Sequence, residues 1–246
     1  MARQKGGTSE IFSSIKRVIV VPVEPPPLII SPSILEALGD VPIISGYPPE
    51  GGAVLTLISG IVVLSQLSKY EERRENVLKL LNEWNASDQT WIPTRALAQE
   101  AANQILESRN YDVVVRQKLY APPSPSKKEI TWHMENWYAP LREWYNQDIP
   151  ALKPEDYRRQ DIDTALEIGI INYELHRGHL LIQVLTKLIT ISTGRVEARA
   201  RSYEDVEIGP PEKLFQNEAY EFKQIFVREG KKLLKDNFRK IGLLPE

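Results

Sequence analysis

The strongest pattern in the chain is DTALEIGIINYELHRGHLLIQVLTKLITISTGRVEARARSY, from Asp163 to Tyr203. Three strand-like runs are separated by two turn signals. Residues 164–173 meet residues 180–191 through ELHRGH, where Gly178 supplies the turn, and STG joins the second run to residues 195–203. Leu166, Ile168 and Ile170 alternate with their neighbours, as do Val184 and Leu188. In the third run Val196, Ala198 and Ala200 stand against Arg195, Glu197, Arg199 and Arg201. Successive side chains of a strand point to opposite faces. The pattern therefore predicts an antiparallel meander over about 164–203 with one core face and one polar face.

The rest of the chain supplies other strands and the helices that would cover this sheet. KRVIVVPVEPPP holds a β-branched run over residues 18–23, stopped by prolines, and reads as a buried strand. WIPTRALAQEAANQILESRNY predicts a helix over 93–108, with Pro93 at its first turn and Leu97, Ala101, Ile105 and Leu106 as its apolar face. YDVVVRQ (111–117) follows as a strand, a standard α/β step. A last amphipathic helix over 212–239 places Leu214, Tyr220, Phe222, Ile225, Phe226, Leu233 and Phe238 near one side. SKYEERRENVLKLLNEW suggests a further helix over about 68–85. The fold class expected is α/β (α+β), a mixed sheet packed by helices at 68–85, 93–108 and 212–239. Residues 1–16 are expected to form a disordered or extended arm, and 17–246 one domain with a Pro-rich arm (24–52) and a Trp-rich insertion (121–160). Trp137, Leu141 and Trp144 of that insertion share a helical face interrupted by Pro140.

Residues 51–67 pose a different question, because GGAVLTLISGIVVLSQL contains no charge. Val54, Leu57, Ile58, Ile61 and Leu64 recur at helical spacing, so one helix from about 53 to 84 fits. A β-hairpin turning near Ser59 and Gly60 fits as well, since Val and Ile are abundant. A spanning helix needs about 20 apolar residues; this run is shorter and carries Thr56, Ser59 and Ser65. It reads as a core element or as a surface for a neighbouring subunit or a membrane.

Composition narrows the chemistry. A net charge of −2 argues against a protein that coats nucleic acid. With no cysteine there is no disulfide, thiolate metal site or cysteine nucleophile. No G-x-S-x-G, G-x-G-x-x-G or P-loop occurs, and the carboxylate pairs lie in charged stretches. Of His133, His176 and His179, the last two flank a turn, and a metal site there needs a further ligand such as Glu174. No cofactor, metal or catalytic residue is expected. The aromatic cluster Trp132, Trp137, Tyr138, Trp144 and Tyr145 either anchors the insertion or offers a contact surface. The contact residues expected are thus Val54, Leu57, Ile58, Ile61, Leu64, Trp132, Trp137, Trp144 and Tyr145. Basic charge in MARQKGGTSEIFSSIKR has no apolar core behind it, so the chain is expected either to be cytosolic or to begin after a removed leader.

The order of elements resembles the α/β domain of bacterial envelope lipoproteins: the curli secretion channel, the amino-terminal domain of the Tol–Pal translocation protein, and YajG-type lipoproteins. The likeness rests on an L-x-x-x-x-Y-x-V phrase, matched by Leu106, Tyr111 and Val113, and on KLITISTGRV from Lys187 to Val196. It covers about 150 residues in pieces and departs at the insertion 121–160. It implies a non-enzymatic, periplasmic, outer-membrane-associated structural, assembly or secretion component. Its partners would be other envelope proteins or itself, with membrane contact through 51–67 or a lost lipid anchor.

Overall fold

The computed structural model describes residues 15–26, 28–30, 55–57, 61–63, 91–108, 111–122, 135–157, 161–176, 178–208 and 214–245. Its spine is a 13-residue strand, β6 (Thr164–His176), which is long enough to serve different neighbours at its two ends. On one side β1 (Arg17–Pro22) runs parallel to its first half, Val18 facing Thr164 and Pro22 facing Ile168. Beyond a short break β2 (Leu28–Ile30) runs parallel to its end, Ile30 facing Leu175. On the other side β7 (His179–Thr190) lies antiparallel along its length, and β8 (Arg195–Glu207) pairs in turn with β7. The helix α1 (Pro93–Ser108) connects the β1 side to β5 (Asp112–Val115), which is parallel to β1. Parallel neighbours require such a crossover. The main sheet is thus mixed, in the order β5-β1-β6-β7-β8. The carboxylate of Asp163 fixes its register, accepting the backbone N–H groups of Lys16 and Arg17, each at 2.9 Å.

Residues 55–57 and 61–63 decide between the two readings of the apolar run at those positions. β3 (Leu55–Leu57) and β4 (Ile61–Val63) are antiparallel, with Leu55 facing Val63, and β4 extends the sheet parallel to β2. The helical reading from 53 to 84 therefore fails over these residues. A β-branched run beside an open strand edge gains ladder hydrogen bonds there. The Pro-rich arm 24–52 likewise contributes a strand at Leu28–Ile30. The helix expected over 68–85 and residues 1–14 of the arm expected over 1–16 lie outside the described residues, while Ile15 is buried in the core and the Lys16 N–H is bonded to Asp163.

One face of the sheet is covered by α1 and by α3 (Gln216–Lys240). Val18, Val20, Leu166, Ile168, Ile170, Val184 and Leu188 point into this layer. They meet Leu97, Ala98, Ala101 and Ile105 of α1 and Phe222, Phe226, Leu234 and Phe238 of α3. The two helices touch closely, since a Cβ on Gly230 would stand 2.3 Å from Leu97 Cδ2. Two expected core residues lie outside this layer: Leu106 is 55% exposed and Tyr220 64% exposed. Leu106 follows the buried Ile105 and Tyr220 the buried Ala219, each one position off the helix face that meets the sheet. Asn217, Glu218 and Ala219 take left-handed backbone (φ 50°, 59° and 57°), so the regular part of α3 starts later than the pattern predicts.

Over β1, β6 and β7 the opposite face is not left to solvent. Ile19, Val21, Ala165 and Ile189 pack with Leu152, Tyr157 and Ile162, and Val23, Ile171 and Leu185 pack with Leu141 and Trp144. The insertion covers what the alternation presented as the solvated side. A register shift between Leu188 and Ile189 changes the third strand as well: Leu188 faces Ala198, but Ile189 faces Val196. Glu197 is the extra residue of this bulge, so Val196 turns to the face opposite Ala198 and Ala200.

The centre of the helical layer is aromatic. Phe226 meets Trp91 (5.6 Å between centroids) and Tyr173 (5.3 Å) edge-on, with no exposed surface of its own. We expect Phe226→Ala to lower unfolding free energy by about 3–5 kcal/mol, and Tyr220→Ser to change it by less than about 0.5 kcal/mol. Urea denaturation of the two variants checks this assignment.

Candidate functional site

Residues 135–157 hold the most concentrated chemistry. They open with α2 (Glu135–Asn146), which continues through Pro140 although that residue has no N–H for the helical ladder. They close on a short 3-10 turn at Pro154–Asp156. Leu141 and Trp144 face the sheet, with Tyr138 and Tyr145 half-buried beside them. The Trp144 indole lies on β6 where Gly169 leaves room: a Cβ there would stand 2.6 Å from Cζ3 and 2.9 Å from Cη2. That contact explains a glycine inside the otherwise bulky run EIGII.

Beneath the indole, two charged residues face each other across the β6–β7 ladder, Glu167 against Lys187. Neither has exposed surface. The Lys187 ammonium donates to the carbonyls of Trp144 (2.8 Å), Gln147 (3.1 Å) and Ile149 (2.6 Å). These are carbonyls at and just beyond the end of α2, where a helix leaves acceptors unpaired and carries partial negative charge. Glu167 accepts from Trp144 Nε1 (2.7 Å) and from the Leu152 backbone N–H (2.9 Å). One strand further on, Arg199 faces Lys187 and pairs with Asp148 of the same covering segment. Three neighbouring strands thus each contribute one charged residue to holding residues 144–152.

Burial shifts both titrations. It lowers the Lys187 ammonium to about 8, reinforced by Arg199 and opposed by Glu167 and Asp148. It raises the Glu167 carboxyl, against the bonds from Leu152 and Trp144 that favour its charged form. The Lys187 ammonium has three donors and uses three, and both carboxylate oxygens are engaged. Chemically, the arrangement is a closed clamp.

No family model and no curated protein matches the chain. Among solved structures it is similar to the PelC dodecamer from Paraburkholderia phytofirmans. Identity there is 12% over 62% of this chain and 77% of that one, with a TM-score of 0.36. It is also similar to the hypothetical protein CT253 from Chlamydia trachomatis, at 11% identity over 60% and 90% of the two chains, with a TM-score of 0.33. Likeness at this level carries no argument about activity.

The residues expected at the site are distributed unevenly. Trp144 and Tyr145 come together, their ring centroids 6.3 Å apart, but Trp144 is wholly buried and takes the anchoring role rather than that of a contact. Trp137 belongs to α2, and its side chain is outside the described residues. Leu57 and Ile61 are register partners in the β3–β4 hairpin. Val54, Ile58, Leu64 and Trp132 lie outside the described residues. His179 pairs with Asp205 at 2.7 Å, and no group of three metal-ligating side chains occurs among the described residues. No helix among them is long and apolar enough to cross a membrane.

Glu167, Lys187 and Gly169 were not anticipated. The available signal was one charge in each of two adjacent apolar strands, a pairing that becomes visible only once the strands are aligned.

Two predictions follow from the clamp. Gly169→Ala forces the pinned indole off the sheet and should cost about 1–3 kcal/mol, with a loss of tryptophan near-UV circular dichroism. Lys187 loses its proton near 8 in the folded chain but near 10.5 in the unfolded one. The unfolded chain then holds more protons between these values, so this group's contribution to stability rises with pH across that window. Urea midpoints from pH 8 to 9.5 should therefore rise more in the wild type than in Lys187→Met.

Proposed function

We propose that the chain is a non-enzymatic component of the bacterial cell envelope that works through protein contacts in structure, assembly or secretion. The observation that carries this reading is how the buried charge is used. Lys187 spends its donors on three backbone carbonyls and Glu167 its oxygens on two N–H groups. This wholly buried charged pair is committed to seating residues 135–157. A general acid or base must instead reach a proton on a substrate. The phrases around Leu106, Tyr111 and Val113 and in KLITISTGRV support the envelope setting, on the periplasmic side of an outer membrane. Partners there are other envelope proteins or a second copy of the chain.

The test is fractionation of native cells carrying the tagged full-length gene, followed by in-cell crosslinking. Recovery in the envelope fraction with crosslinked protein partners is expected. Recovery only in the cytosol would overturn the envelope setting, and a chain with no crosslinked partner would overturn the contact reading.

A further inference from the structure

The main sheet ends in two unlike edges. β5 has four residues, whereas β8 has 13 and, among the described strands, pairs only with β7. An open edge of that length is a template for another strand.

The ladder fixes which groups of β8 face outward. The Ile208 N–H donates to the Gly178 carbonyl at 2.8 Å, just beyond the pair His179–Glu207. Hydrogen-bonded and non-hydrogen-bonded pairs alternate in an antiparallel ladder. Val206, Glu204, Ser202 and Ala200 therefore direct their backbone groups to β7, and Glu207, Asp205, Tyr203, Arg201 and Arg199 direct theirs to the open edge. Lys240 agrees with this phase, since its Nζ reaches the outward carbonyl of Arg201 at 3.0 Å. It also holds Asp236 (2.6 Å) and Ser202 Oγ (2.8 Å), so it can release Arg201 and keep both.

Those five outward residues share one face of the strand and are sorted by sign: Arg199 and Arg201, then Tyr203, then Asp205 and Glu207. An antiparallel copy of the same strand centred on Tyr203 places Arg201 opposite Asp205, Arg199 opposite Glu207, and Tyr203 opposite itself. On the other face it sets Ala200 against Val206. A parallel copy in register places like charges together, which is unfavourable. Tyr203, at the centre, is 49% exposed. Asp205 gives one carboxylate oxygen to His179 and keeps the other.

We infer that the open edge of β8 pairs antiparallel with the same edge of a second copy, the two strands meeting across a two-fold axis at Tyr203. The sheet then runs continuously through both subunits. This rests on the protein-contact reading above and names its partner and surface.

Sedimentation velocity of the full chain over a concentration series tests it. A reversible dimer is expected. Arg201→Glu or Asp205→Arg alone should weaken the dimer about tenfold or more, because each change counts twice and sets like charges opposite. The double variant Arg201→Glu/Asp205→Arg restores the complementarity and should return the affinity to within about threefold. Both residues are exposed, so at protein concentrations where the chain is monomeric the stabilities of all three variants should stay within about 0.5 kcal/mol of the wild type. In a chain with no cysteine, Tyr203→Cys places one thiol on the axis. Facing residues of a hydrogen-bonded pair are about 5.5 Å apart, within disulfide reach, and mild oxidation should yield a covalent dimer. Association unmoved by either single variant overturns β8 pairing but leaves the contact reading standing. A monomer at every concentration also overturns β8 pairing, and only if in-cell crosslinking finds no partner does the contact reading fall with it.

Discussion

A single ammonium group decides where residues 144–152 sit on the sheet. Lys187 rises from the middle of β7 and gathers three carbonyls from the end of α2 and the turn after it. In a dry interior such an ion is expensive unless its partners are placed well, so this bond set tolerates little displacement. Glu167 adds the second constraint by accepting from the indole of Trp144 and the backbone of Leu152. Together they specify one seat for residues 144–152. The net stabilisation from the charges themselves is small, because the cost of taking them out of water offsets most of their attraction.

The rest of the architecture depends on the length of β6. Its first half carries β1 and β5, whose crossover helix must cover one face together with α3. The other face of the sheet would be left with exposed apolar side chains: Ile19, Val21, Ala165, Ile171 and Ile189. Parallel strands are normally buried on both sides, which makes a second cover obligatory. Residues 135–157 provide it, and the charged clamp is how that cover is held without a long helix pair of its own. On the helical side the polar ties are similar in kind. Asn237, fully buried, donates to the Val184 carbonyl at 3.0 Å and accepts from Ser202 at 2.7 Å, tying α3 to β7 and β8.

Much of this was legible in the residues. The helix Pro93–Ser108 has the limits its pattern predicts, and the three meander strands and β1 lie where alternation and β-branching put them. Local signals succeed there because the deciding contacts repeat every two or 3.6 residues. What escaped was set by distant partners. Glu167 stands at the polar phase of ALEIGII, and a period of two looks the same for a solvated glutamate as for one under an indole from residue 144. The same blindness turned the covered face into an expected polar one. The bulge at Glu197 was hidden because one extra residue leaves composition unchanged while it reverses Val196. In the run 51–67 the helical and alternating patterns coexist, and the edge of β2, 33 residues away in sequence, selects strand at Ile61–Val63.

The two sheet edges show how a charged strand can be both protected and selective. A four-residue edge such as β5 offers too little ladder to recruit a neighbour. A 13-residue edge needs another safeguard, and charged side chains are the common one. Charges scattered along β8 would repel every register alike. Charges sorted by sign, with two arginines on one side of Tyr203 and two carboxylates on the other, repel a parallel copy and any large slip, yet leave one antiparallel register neutral pair by pair. Lys240 then acts as a removable cover over the outward carbonyl at Arg201, keeping it hydrogen-bonded while the edge is vacant. The feature that prevents indiscriminate aggregation is therefore the same one that specifies a single partner geometry.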